Sequence, residues 1–262
     1  MTSLDAALAE ELAVAAAAVL ADLRASSPLE GRELKDAGDA AAQRFLAQRL
    51  AQERPDDAVL SEEAADSAAR LSADRVWIID PLDGTREFSE HRDDWAVHVA
   101  LWERGAGLTT GAVASPGVVH GTMSPVGADR DVSGVLEGAR PLRLAVSRSR
   151  APELVAALAE RLGAETVPMG SAGVKTMAVV DGVVDAYVHG GGQYEWDSAA
   201  PVAVARAAGL HASRLDGRPL EYNRRNPWLP DLVVCPPGLA RLLLDTIAAV
   251  PEGERGPQEE EA

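Results

Sequence analysis

The run Trp77-Ile78-Ile79-Asp80-Pro81-Leu82-Asp83-Gly84-Thr85 reads as an apolar strand that delivers two carboxylates, three residues apart, into a turn stiffened by Pro81. Carboxylate and carbonyl oxygens are the ligands that Mg²⁺ prefers, so Asp80, Asp83 and the Leu82 carbonyl between them can hold one or two such ions. Backbone N–H groups at Gly84 and Thr85, where they open a helix, would face a bound phosphate. An Asp-Gly pair alone is a common turn signal. The weight therefore falls on the complete run, which predicts a sheet whose strand end is a metal and anion site.

Working outward, other acids stand at strand and helix ends. Glu62 and Glu63 follow the short apolar strand Ala58-Val59-Leu60; adjacent acids of this kind are otherwise simply solvated. Asp197 in Glu195-Trp196-Asp197-Ser198 reads as a helix N-cap, a ligand, or both. Gly170-Ser171-Ala172-Gly173 is either a helix-opening turn or a wall that approaches a substrate closely because it lacks bulk.

The chain has 262 residues, 47% of them apolar, enough for a substantial core. With 41 acidic against 25 basic residues its formal charge is −16. Such a surface repels nucleic-acid polymers and anionic membranes. An anionic substrate is still admissible where metal cations supply the positive charge. No apolar run approaches the roughly 20 residues that span a bilayer, the acid-bearing start lacks the features of a signal peptide, and a soluble cytoplasmic protein is expected. The single cysteine, Cys235, excludes an internal disulfide and reads as a buried strand residue.

Periodicity predicts helices over 4–25 and from about Asp39 to just before Pro55, a strand over 58–61, a helical stretch to about Leu71, and a strand over 75–79. Trp95, Val97, Val99 and Leu101 alternate at period two, and strands over 109–114 and 118–123 continue a meander. After a loop over 131–140 the pattern changes to strands at 142–147, 164–168 and 184–189 alternating with helices at 151–162, 172–181 and 197–208, closed by a helix over 239–250. The expected division is an α+β domain over 1–135, an α/β domain over 136–250, and an acidic disordered tail over 251–262.

The segments Ser61-Glu62-Glu63, Trp77 to Thr85, Gly170 to Gly173 and Trp196-Asp197 occur in an order and spacing that resembles the inositol monophosphatase superfamily, over roughly Asp39 to Pro230. Gly84-Thr85-Arg86-Glu87-Phe88, Val146-Ser147-Arg148-Ser149, Gly170 to Lys175, and Asp216-Gly217-Arg218-Pro219-Leu220 with Tyr222 are similar to its branch acting on 3′-phosphoadenosine 5′-phosphate, the CysQ type. The resemblance implies a layered α-β-α-β-α sugar-phosphatase-like fold and a lithium-sensitive phosphomonoesterase using two or three Mg²⁺ ions.

It further implies that Glu62, Asp80 and the Leu82 carbonyl hold one ion and that Asp80, Asp83 and Asp197 hold another. Thr85 and Glu62 would orient the attacking water, and the Gly84 and Thr85 amides would hold phosphate. Gly170, Ser171 and Ala172 would line the pocket for the alcohol portion, Glu195 would reach its hydroxyls, and Lys175 would meet a second phosphate. Asp39 departs from the family pattern, because Asp36 stands where a Thr is usual and the loop looks shortened; it either serves in catalysis or caps its helix. Inositol monophosphate and fructose 1,6-bisphosphate remain alternative substrates, and a catalytically silent sensor of nucleotide phosphates the alternative of another class. The expected partners are a small phosphorylated substrate and a second copy of the chain in a homodimer.

Overall fold

The computed structural model describes residues 3–123, 130–149 and 153–251; the expected acidic tail, beyond Pro251, lies outside them. Helices α1 (Ser3–Ser26) and α2 (Gly31–Glu53) precede a sheet formed by β1 (Ala58–Ser61), β2 (Arg75–Asp83), β3 (Ala96–Glu103), β4 (Gly107–Ser115) and β5 (Val118–Gly121), in that spatial order. β1 and β2 run parallel, and β2 to β5 form the antiparallel meander that the alternating pattern predicts. A single turn, α3 (Thr85–Ser89), follows β2, and another, α4 (Ser133–Leu136), interrupts the expected loop.

The second half supplies β6 (Arg143–Ser147), α5 (Glu153–Leu162), β7 (Glu165–Met169), α6 (Ala172–Val180), β8 (Ala186–His189), β9 (Gln193–Tyr194), α7 (Glu195–Ala207), β10 (His211–Ser213), β11 (Trp228–Leu229), β12 (Leu232–Cys235) and α8 (Pro237–Ala248). Its sheet has the order β10-β12-β8-β6-β7.

Period-two burial sorts the side chains into five layers. One face of the first sheet, with Trp77, Ile79, Val97, Val99 and Leu101, packs on α1 and α2. Its other face, with Val76, Ile78, Ala96 and Ala100, packs on α6 and α7, and the same core continues into Tyr187 and Val234 of the second sheet. The far face of the second sheet, with Leu144, Val146, Val188 and Cys235, is covered by α5 and α8. Each such large apolar side chain taken from water contributes about 1.5–3 kcal/mol. The architecture is the expected α-β-α-β-α stack, and its middle helices serve both sheets.

Two expectations need correction. The stretch leading to Leu71 forms only a 3₁₀ turn, Ala68–Ser72. Helix α2 begins at Gly31 rather than near Asp39, so Asp39 lies mid-helix and does not cap it. The helix-breaking signal was Gly38, and packing overrides it. A Cβ there would come within 2.9 Å of Phe88 Cε1 and 3.0 Å of Leu82 Cδ2, so the glycine is what lets α2 lie directly over the end of β2.

Candidate metal centre

β2 runs through Asp80 to Asp83, with its pairing to β3 shifting register between the two. Gly84, at φ 85°, then turns the chain into α3. Asp80 is fully buried; its Oδ1 accepts the Leu82 N–H at 3.0 Å, while Oδ2 has no hydrogen-bond partner. Asp83 Oδ2 accepts the Ser171 hydroxyl at 2.5 Å and the Gly173 N–H at 3.0 Å. Asp197, in the first turn of α7, reaches back to the Tyr194 N–H at 2.6 Å. It therefore satisfies the helix start without being the N-cap, which is Tyr194.

The electrostatics are those of buried carboxylates crowded together. Burial, then Asp83, Glu62 and Asp197, raises the Asp80 carboxyl well above the usual carboxylate range. Asp197 is pushed up to about 8 by burial and by Asp83 and Glu62. Glu62 is raised by lost hydration and then by Asp83 and Glu63. Asp39, buried on α2, rises to about 7 through desolvation and then Glu63, with Glu62 and Asp36 adding to the effect. It faces a cleft of about 430 Å³ with Asp36, Gln43, Arg44 and Glu63. Crowding of this kind costs several kcal/mol unless protons or cations relieve it. The unpartnered Asp80 Oδ2 and a side-chain set dominated by carboxylate oxygens, with one His98 ring nitrogen within 4.8 Å of ligand atoms of Asp80 and Asp83, fit a hard divalent cation.

The wall beside the cluster is the turn at the start of α6. Ser171 is its N-cap and accepts the Val174 N–H at 3.0 Å, at a strained φ of 45°. Gly170 donates its N–H to Asp94 Oδ2 at 2.7 Å. A Cβ on Gly170 would lie 2.3 Å from Glu87 Cγ, so its lack of bulk is needed for packing against α3. Behind this wall, Arg148 bridges Glu87 at 3.0 Å and Glu90 at 2.5 Å.

Lys175 and Glu195 are held inside the fold. Lys175 is buried, its ammonium donating to the Gly170 carbonyl at 3.3 Å and sitting 5.2 Å from the Tyr187 ring centre. Burial lowers its pKa against the opposing pull of Asp83, Glu87, Asp197 and Asp94. It supports the wall from within, its ammonium held inside by the Gly170 carbonyl. Glu195 is fully buried, and its two oxygens accept the Asn223 N–H at 2.6 Å and the Arg224 N–H at 2.8 Å. It anchors that loop rather than offering a free acceptor to a substrate hydroxyl. The chain of contacts continues outward, because Asn223 Oδ1 accepts from Arg70 at 2.7 Å and Arg70 pairs with Asp66 at 2.7 Å. The segments carrying Glu62 and Asp197 are thereby tied to one another.

His98 is a site residue that the sequence reading missed. β3 places it directly across from Asp80 in the sheet register, and its ring nitrogen lies 3.4 Å from Asp83 Oδ2. A signal was present: His98 is the one polar residue among Ala96 and Ala100 on a strand face otherwise apolar.

Comparison with known proteins bears on the whole chain. The model of the inositol monophosphatase family matches residues 3–250. The chain belongs to the inositol monophosphatase family. Within it, the chain is 52% identical over 258 residues to the 3′-phosphoadenosine 5′-phosphate phosphatase of Mycobacterium leprae, covering 94% of each chain. It is 34% identical to the 3′(2′),5′-bisphosphate nucleotidase CysQ of Escherichia coli over 74% of this chain and 81% of that one. The crystal structure of CysQ from Bacteroides thetaiotaomicron, a bacterial member of the family, superposes with a TM-score of 0.72 at 27% identity, covering 88% and 97% of the two chains. Among the described residues of this family member, no helix is long and apolar enough to cross a membrane.

Proposed function

We propose that the chain hydrolyses 3′-phosphoadenosine 5′-phosphate to AMP and phosphate, with two or three Mg²⁺ ions as its cofactors. The observation that carries this is the group of acids Glu62, Asp80, Asp83 and Asp197, whose burial and mutual repulsion raise three of the four, combined with the activity of the 3′-phosphoadenosine 5′-phosphate phosphatases that are 52–54% identical to the chain. Glu62, Asp80 and the Leu82 carbonyl would hold one ion; Asp80, Asp83 and Asp197 would hold another. When bound, such ions would supply positive charge to the phosphate oxygens and lower the pKa of a water for the hydrolysis.

The chain's own residues prepare that step. The Leu82 N–H orients Asp80, Ser171 and Gly173 orient Asp83, and the Tyr194 N–H orients Asp197, so the ligands are held by protein before a cation arrives. Thr85 and Glu62 would direct the water, and the amides of Gly84 and Thr85 would receive the phosphate. Asp39, with its carboxyl raised to about 7, can take up a proton near neutral pH on the side of Glu63. Ser171 and Ala172 would line the alcohol pocket, and the buried Lys175 charge would act on the substrate's second phosphate through the Gly170 wall.

Phosphate release from 3′-phosphoadenosine 5′-phosphate, inositol 1-phosphate and fructose 1,6-bisphosphate, each with Mg²⁺, with chelator and with added Li⁺, tests the proposal. Preferential release from the nucleotide, abolished by chelator and inhibited by Li⁺, is expected. Preference for inositol or sugar phosphate would overturn the substrate, and activity persisting in excess chelator would overturn the metal centre.

A further inference from the structure

His98 occupies a place that neither the cluster of acids nor the fold by itself explains. Its ring is completely buried. Nδ1 lies 3.2 Å from the Trp196 carbonyl, one residue before Asp197, and Nε2 lies 3.4 Å from Asp83 Oδ2. Nε2 makes no hydrogen bond, although a core histidine ordinarily pairs both ring nitrogens. The space it fills exists only because residue 173 is glycine, since a Cβ there would stand 2.1 Å from Nε2. The same glycine donates its N–H to Asp83 Oδ2.

We propose that His98 is a positioning residue for Asp83, a rigid spacer that joins this ligand on β2 to the helix carrying Asp197; the proposal rests on reading the acidic cluster as a metal centre. Three groups stand around one oxygen: the Ser171 hydroxyl, the Gly173 N–H and the His98 ring. The first two commit Oδ2 to the protein by hydrogen bonds and the ring packs against it at 3.4 Å, which leaves the other Asp83 oxygen for a cation. Because the ring also abuts the Trp196 carbonyl, it sets the separation of Asp83 from the first turn of α7. Groups that orient a ligand in this way typically change metal affinity by about 10- to 100-fold when removed.

Mn²⁺ binding to the full chain, followed by electron paramagnetic resonance without substrate, tests the proposal independently of which ester is hydrolysed. His98→Ala is expected to weaken Mn²⁺ binding by about 10- to 100-fold, with kcat recovering at saturating metal. His98→Gln, whose amide reaches the former Nε2 position, should restore most of the affinity. Gly173→Ala, which drives the ring away, should reproduce the loss. Near-UV circular dichroism checks that each variant is folded, and should His98→Ala fail to fold, Gly173→Ala and His98→Gln decide the matter. Wild-type affinity in folded His98→Ala or Gly173→Ala would overturn the role. So would imidazole nitrogen coupling in the wild-type Mn²⁺ spectrum, which would make His98 a ligand. Failure of the wild type itself to bind Mn²⁺ would instead remove the metal centre on which the proposal stands.

Discussion

Asp80→Asn should make the metal-free protein more stable while destroying its response to metal. Asp80 is fully buried with one oxygen unpartnered, and a ligand oxygen of Asp83 lies within 4.8 Å of one of its own. Two unit charges at that distance repel by about 3 kcal/mol at an effective dielectric near ~20. Proton uptake by the cluster removes part of that repulsion, so a gain of about 1–3 kcal/mol is expected, or about 2–4 °C in Tm per kcal/mol for a chain of this size. The amide keeps the acceptor that Leu82 N–H uses and replaces the orphan oxygen with a donor facing carboxylates.

The sign follows from linkage. A carboxyl whose folded-state pKa is raised leaves stability intact at low pH and removes it as pH rises. The gain should thus be larger at about pH 8 than at about pH 5, because the Asp80 carboxyl, raised well above the usual carboxylate range by burial and by its acidic neighbours, sheds its proton only as pH rises. Urea unfolding in chelator at both pH values measures it. Mg²⁺ at about 100 times its Kd should then add about 2.7 kcal/mol to the wild type and far less to the variant. A metal-free Asp80→Asn protein no more stable than wild type at the higher pH, or equally stabilised at both, would refute the electrostatic account.

Two further outcomes follow from the same geometry. Ser171→Ala removes an N-cap and the Asp83 contact together, so a loss of about 1–2 kcal/mol in urea unfolding and a higher Mg²⁺ requirement for half-maximal phosphate release are expected; an unchanged Mg²⁺ requirement would show that Asp83 needs no such support. Glu195, raised from 4.5 to about 7 chiefly by burial, keeps its proton in the fold where the unfolded chain has lost it. Stability should fall by an amount on the order of 3 kcal/mol as pH rises through that window, and a Glu195→Gln protein that retained the slope would exonerate this residue.

The clustered acids were legible because each is announced locally, by an acid at the end of an apolar strand or at a helix start. The layer order was legible from the alternation of Trp95, Val97, Val99 and Leu101, joined to the family resemblance. The start of α2 was not, because Gly38 is a helix breaker by propensity and a packing necessity by its contacts with Phe88 and Leu82. The burial of Lys175 and Glu195 was not legible for a related reason: charge predicts exposure, whereas here the Gly170 carbonyl and two loop amides hold them inside. His98 is marked locally by its polarity on an apolar strand face, but what it meets is set by sheet register and a turn more than 70 residues downstream.

The helices α6 and α7 belong to the cores of both sheets, and they carry Ser171, Gly173 and Asp197 into a cluster whose other acids ride on the first half of the chain. Cation affinity is therefore a gauge of assembly. A lesion in the second sheet, at Tyr187 or Val234 for instance, would be felt first as a loosened grip on metal, long before the N-terminal sheet itself came apart. Sequence changes remote from the chemistry can in this way tune or cripple turnover while leaving every acidic residue in place.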